Sequence, residues 1–281
     1  MAKVIELRQK IKSIESIHNM AQAMQIVAVA QLKSIQSRQR AATHFKKHYD
    51  RLAKRLRINL EPKTTQIVST ILIYVLSSQR GFCGGFNDAL IRKLKSVISE
   101  KQGPFQCVVV GGKGCEVFKG ENIPAQLNCV VKSEKMGFEE VTRIATEADS
   151  LYGSGKVKEV YVLFNEFESM LVQSPCLKRV LPFDLSGIAV DSNMIIMEPS
   201  RKEVKGYVCQ NYLRVVFYDA FLQSQLGEVA SRLMTMRGAT DNSKEMIEDL
   251  QVKLNKARQA MITFELSEII SSFEVLKEEE H

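Results

Sequence analysis

Two glycine-bearing stretches are the natural places to look for chemistry in this 281-residue chain: SSQRGFCGG at Ser77–Gly85 and VVVGGKG at Val108–Gly114. Each follows an apolar run, and the first precedes a helix-like run, the setting in which backbone N–H groups often cradle phosphate. Neither matches G-x-G-x-x-G, and neither ends in the Gly-Lys-Ser/Thr of a P-loop, because Lys113 is followed by Gly114. Tight strand-to-helix turns are the better reading, since glycine permits positive φ and close packing. Cys83 could serve as a nucleophile only with a base in reach. The histidines are His18, His44, His48 and His281, all outside the middle of the chain. His44 and His48 stand one helical turn apart, but two ligands do not make a metal site, and a solvated basic face accounts for them. No catalytic residue, metal or cofactor is expected.

The elements that carry these stretches divide into three zones. No Pro or Gly occurs before Pro62, and apolar residues recur at 4, 7, 11 and 14, then at 17, 20, 24 and 27. Steps of three and four over an unbroken run predict one long N-terminal helix. After Gly206 only Gly227 and Gly238 interrupt the helical pattern, and Ile247, Leu250, Leu254, Ala257 and Met261 step by three and four. The seam then moves by one residue to Ile262, Leu266, Ile269, Phe273 and Leu276. Between them, TTQIVSTILIYVLSS, FQCVVV, QLNCVVK and VKEVYVLFNEF read as strands, with an edge partner around MLVQSPCLKRVLP. FNDALIRKLKSVISEK and FEEVTRIATEADSLYGSG read as helices. Alternation of strand and helix predicts a mostly parallel, Rossmann-like α/β domain. The expected organisation is an N-terminal shaft helix over 1–60, an α/β domain over 61–205 and a C-terminal shaft helix over 206–281. The terminal helices should form an antiparallel coiled coil with the domain inserted between them.

Charge supports that pairing. Residues 1–60 hold 13 Lys/Arg against 3 Asp/Glu, whereas residues 241–281 hold 5 against 10. Opposed ends attract each other and steer acidic partners to the first. Within the basic zone, SIHNMAQAMQIVAVAQL at Ser16–Leu32 carries no formal charge. Met20, Met24, Ile26, Val27 and Val29 surround much of the helix there, which calls for burial on several faces, more than one partner helix can supply. The stretch is too polar to span a bilayer, with His18, Asn19, Gln22, Gln25 and Gln31 inside it, and no apolar run reaches the ~20 residues required. The start MAKVIELRQK lacks the apolar region of a signal peptide and the Arg/Ser richness of a transit peptide. Six cysteines without a CxxC pair fit a reducing compartment. A basic coiled coil could bind nucleic acid, but the neutral collar and the absence of aromatic stacking positions argue against it. A nucleotide-dependent enzyme is weakened by the defective glycine loops.

The last zone carries a resemblance. MRGATDNSKEMIEDLQVKLNKARQAMITFELSEII, Met236–Ile270, resembles the C-terminal signature of the gamma subunit of F-type ATP synthases. IKSIESIHNMAQAMQIVAVAQLKS resembles that family's N-terminal helix, SSQRGFCGGFN its S-S-D-R/K-G-L-C-G loop, and GGKG a turn of its middle domain. Gln79 stands where the loop commonly has Asp, and Asn19 and Gln22 where lysines are usual. The resemblance implies a rotary central stalk, without catalytic residues, that couples H⁺- or Na⁺-driven ring rotation to ATP synthesis or hydrolysis at beta subunits. It implies alpha and beta subunits as a surrounding hexamer, a membrane c-ring and an epsilon-type small subunit as partners. It also implies a peripheral place on a bioenergetic membrane, and the start without transit-peptide character favours the cytoplasmic face of a bacterial inner membrane over an organellar inner membrane. Met20, Met24 and Val27 would form an apolar bearing. Arg258, Gln259 and Thr263 would meet a beta-subunit loop, and Glu198 of MEPS the ring. The helix is expected to end near Leu276, with the acidic KEEEH emerging beyond it.

Overall fold

The computed structural model describes residues 2–58, 68–101, 103–123, 125–130, 137–185 and 197–278. Helix α1 spans Ala2–Leu56 and helix α5 Arg201–Glu278, the latter passing through Gly206, Gly227 and Gly238 unbroken. At 1.5 Å per residue they reach roughly 80 and 115 Å. α5 runs on past Leu276 to Glu278; the acidic tail after it lies outside the described residues. By internal packing the chain divides into two compact units, Met1–Val27 with Thr235–His281, and Ala28–Met234.

The larger unit holds a five-stranded sheet, ordered β3-β2-β1-β4-β5, of β1 (Ile71–Leu76), β2 (Phe105–Val110), β3 (Gln126–Val130), β4 (Glu159–Phe167) and β5 (Gln173–Leu181). β1 pairs in parallel with β2 and β4, β2 with β3, and only the edge strand β5 is antiparallel. The expected mostly parallel α/β class and its edge partner are therefore observed. β1 is buried along its whole length, as its continuous apolar run ILIYVL requires. Its side chains alternate between two cores. Leu72, Tyr74 and Leu76 face α4 (Phe138–Gly153), the end of α1 at Ala53 and Leu56, and α5 from Val208 to Phe221. Ile71, Ile73 and Val75 face α2 (Phe86–Glu100) and α3 (Gly112–Lys119). α1 and α5 also pack on each other in this unit. Ala28 and Ile35 meet Leu226, Val229 and Leu233, while Thr43 donates to Asp219 at 2.9 Å and Tyr212 to Asp50 at 2.9 Å.

In the smaller unit the helices are paired as well. His18 Nδ1 lies 3.0 Å from Ser243 Oγ, whose own proton goes to the Thr240 carbonyl at 2.9 Å, so the imidazole N–H is the donor. Glu6, Lys10 and Ile14 share a groove with Met246, Asp249 and Lys253, so α1 numbers fall as α5 numbers rise and the pair is antiparallel. The seam corrects part of the sequence expectation. Val4 and Ile11 are buried as expected, but the next buried position is Ala21, followed by Ala28 in the larger unit. Ile17, Met20 and Val27, which continue the apolar three-and-four spacing of the sequence, are 56%, 58% and 50% exposed. The reason is steric: two helices approach most closely through alanine, which directs the longer side chains of the same turns outward. On α5, Ile247, Leu250, Leu254, Ala257 and Met261 are half-buried as expected, whereas Ile262, Leu266 and Ile269 are exposed, because α1 has run out.

This pairing predicts opposite responses at adjacent positions in urea unfolding of the isolated chain. Ala28→Leu, which overfills a site only 1% exposed, should lose about 1–3 kcal/mol. Val27→Gln, at a half-exposed position, should stay within about 0.5 kcal/mol of the wild type.

Candidate functional site

The two glycine loops meet at the carboxyl ends of β1 and β2, and the larger unit closes them against each other. Ser78 donates its backbone N–H to Asn87 Oδ1 at 3.0 Å, and Asn87 Nδ2 donates to Ser78 Oγ at 2.7 Å. Gly114 N donates to the Ser78 carbonyl at 2.9 Å, and Gly112 N to Gln79 Oε1 at 3.1 Å. Gln79 thus supplies a side-chain acceptor to the GGKG turn. A Cβ on Gly111, at φ +132°, would lie 2.6 Å from the Ser77 carbonyl oxygen, and one on Gly114 would lie 1.9 Å from Ser77 Oγ. These glycines are present because another chain segment fills the space, not because a ligand does.

The remaining side of the first loop is closed by α5. Ser224 Oγ donates to the Leu76 carbonyl at 2.8 Å, and Ser231 Oγ to the Cys83 carbonyl at 2.6 Å. Between them stands Glu228, a buried carboxylate. Its Oε2 accepts the Gln79 N–H at 3.1 Å, its Oε1 accepts the Arg80 N–H at 3.2 Å, and Arg232 is its buried ion-pair partner. Arg232 continues to the loop, with Nε donating to the Gly81 carbonyl at 3.1 Å and Nη2 to that of Arg80 at 3.3 Å. The spacing 224, 228, 231 and 232 puts all four side chains on one helical face. Charge is therefore buried only where it is matched by a counter-charge and by backbone dipoles.

This arrangement disposes of the candidate chemistry in the loop. Cys83 is a buried free thiol that donates to the Arg80 carbonyl at 3.8 Å. Burial pushes its pKa upward, with the Glu228 charge adding to the rise, and a raised pKa suppresses the thiolate a nucleophile needs. The His44 and His48 rings stand edge to face with centroids 4.7 Å apart, and among the described residues no group of three or more potential ligands gathers around a metal position. Among the described residues, no helix is long and apolar enough to cross a membrane.

The residues singled out by resemblance are exposed, apart from Met24. Met20 and Val27 are exposed and Met24 is half-buried, all in the smaller unit. Arg258, Gln259 and Thr263 are exposed on α5, with the Thr263 hydroxyl turned back to the Gln259 carbonyl at 2.9 Å. Glu198, in the larger unit, is exposed beside Pro199 just before α5 begins. Within the smaller unit, Met20, Met24 and Val27 follow one another along α1, and Arg258, Gln259 and Thr263 along α5. Sequence reasoning missed Glu228 and Arg232, although a signal existed: they are the only charges between Ala220 and Met236, and they stand at i and i+4. It also passed over Phe82, 63% exposed at φ +60°, an uncommon conformation for a bulky residue.

Paired terminal helices with an inserted α/β domain whose loop ends are sealed from within define the class: a long-helix protein carrying an α/β insertion. The ATP synthase family model matches residues 3–276. The ATP synthase gamma chain of Desulfitobacterium hafniense is 31% identical over 99% of this chain and 100% of its own length. That of Heliobacterium modesticaldum is 32% identical, covering 94% and 96%. Among solved structures, a chain of the Euglena gracilis mitochondrial ATP synthase, in an assembly of OSCP, F1 and c-ring, superposes with a TM-score of 0.70 at 17% identity, covering 98% of this chain and 95% of that one. A chain of the Tetrahymena thermophila mitochondrial central stalk and c-ring gives 0.60 at 22% identity, covering 79% and 99%. The chain belongs to the ATP synthase gamma chain family, the non-catalytic central-stalk rotor subunits.

Two substitutions gauge the closure of the loops. Arg232→Ala leaves the Glu228 charge buried without its counter-ion, and thermal or urea unfolding should register a loss of about 3–5 kcal/mol. Gly114→Ala, which forces Ser77 to move, should cost about 1–3 kcal/mol.

Proposed function

We propose that the chain turns inside a ring of alpha and beta subunits, is driven from a membrane c-ring, and carries an epsilon-type small subunit. The observation that carries this reading is the apolar surface left uncovered on both helices of the smaller unit. Ile17, Met20, Ile26 and Val27 are exposed on α1, as are Ile262, Phe264, Leu266, Ile269 and Ile270 on α5. Such a surface marks an interaction site. Residues 16–32 contain no formal charge to form a fixed ion pair with any one partner. A helix that must pass successive equivalent partners is best served by nondirectional apolar contact, which falls off smoothly with position. Met20, Met24 and Val27 are assigned to that bearing.

Arg258, Gln259 and Thr263 are assigned to a beta-subunit loop. An exposed Arg suits a carboxylate there, because its planar fork can bond bidentately. Glu198, exposed at the approach to α5, is assigned to the ring-facing foot. The working division is a shaft over 1–60 and 206–281 with a foot over 61–205. Association with the cytoplasmic face of a bacterial inner membrane, under H⁺ or Na⁺ drive, would be indirect, through the complex. The relatives from Desulfitobacterium and Heliobacterium support the bacterial part of this assignment.

Affinity purification of the tagged chain from gently solubilised membranes should recover alpha, beta and ring subunits; their absence would sink the proposal. In the assembled complex, Met24→Glu should depress ATP hydrolysis or its coupling to ion transport while the isolated chain still folds, because a charge enters an apolar bearing without a partner. Wild-type turnover and coupling would exclude the bearing role. Arg258→Ala with Gln259→Ala removes a charge-assisted bond and its neighbour, each worth roughly 1.5–3 kcal/mol when made. Complex yield or steady hydrolysis should fall more than stability of the isolated chain.

A further inference from the structure

We infer that the loop after β1 is a small-oxyanion site which the chain fills with its own Glu228 carboxylate. The strand order puts β1 between β2, reached through α2, and β4, reached by the later crossover from β3. That is the point at which the order reverses, where sheets of this kind open a crevice beyond the strand ends and take anionic ligands. Here two successive backbone N–H groups, those of Gln79 and Arg80, point to the two oxygens of one carboxylate at 3.1 and 3.2 Å, and a buried guanidinium neutralises it. This donor set is the kind that holds phosphate or carboxylate, met in this case by an intramolecular ligand.

The second loop offers no rival position, because Gly111 and Gly114 lie against Ser77 and Ser78 with no space for even a Cβ. Glu228 borders a pocket of about 180 Å³, also lined by Arg38, Arg80, Arg232, Gln31 and Gln79. Arg38, Arg80 and Arg232 stand in the lining against the single carboxylate of Glu228, a formal excess of positive charge that draws an anion toward the position the carboxylate occupies. With the side chain cut back at residue 228, phosphate or formate can enter by this route and accept from the same two N–H groups and Arg232. Glu228 is thus a positioning residue, the segment of α5 around it being a built-in ligand for the loop.

The experiment is anion rescue of the full-length chain. Glu228→Ala should unfold at lower temperature than wild type and regain stability in inorganic phosphate or formate, but not in chloride at equal ionic strength. At ten times the dissociation constant of the anion, the unfolding equilibrium constant should fall by about elevenfold. Wild type, and Glu228→Gln with an amide filling the same space, should show no gain over chloride. Absence of a phosphate- or formate-specific gain in Glu228→Ala, or an equal gain in the wild type, overturns the inference. If Glu228→Ala is recovered only unfolded, refolding reads the same property. Recovery in formate and not in chloride supports the site, and recovery in neither overturns it.

Discussion

One buried carboxylate organises the larger unit. Glu228 satisfies two backbone N–H groups of the loop after β1 and neutralises Arg232, which in turn satisfies two carbonyls of the same loop. A loop at the end of a buried parallel strand has polar groups that must be paired, by solvent, ligand or protein. In a nucleotide-binding α/β domain a ligand fulfils that role. Here a long helix does, so the fold keeps the strand order of a dinucleotide-binding sheet while its crevice is filled by a covalently attached segment. The same interaction fixes α5 on the sheet by polar register, where the apolar contacts of Leu213, Phe217 and Phe221 alone would permit sliding.

The smaller unit is built on the opposite principle. Its helices bury Val4 and Ile11 in the ordinary way, but further along α1 they touch through Ala21 and the His18–Ser243 hydrogen bond, and Ile17, Met20 and Val27 are left exposed. An ordinary two-stranded coiled coil places its bulkiest apolar residues at the seam. Around Ala21 that choice is reversed, and the larger apolar side chains of the same turns stay exposed.

Much of the fold was legible in the sequence. Four strand runs, their edge partner and the two intervening helices stand where periodicity and glycine placement put them, since each depends on residues close in the chain. The short α3 was less visible because its opening, GGKG, reads as a turn until the packing against Ser77 is known. Of the candidate site, sequence reasoning dismissed the glycine loops as ligand sites by what they lack. What fills them could not be read, because Glu228 and Gln79 are 149 positions apart. The candidate contact residues came from resemblance rather than from spacing, and their exposure is a property of the folded chain.

By itself, then, the sequence determined the existence and hand of the long helices, the α/β character of the insertion and the absence of charge over residues 16–32. These follow from the backbone preferences and side-chain chemistry of neighbouring residues. Tertiary structure decided which of two apolar stripes on α1 became the seam. Met20 and Val27 are more hydrophobic than Ala21 and Ala28, so hydrophobic pattern alone favours the wrong stripe. Close approach of two helices depends on side-chain size as well as transfer energy, and only the partner helix could make that distinction.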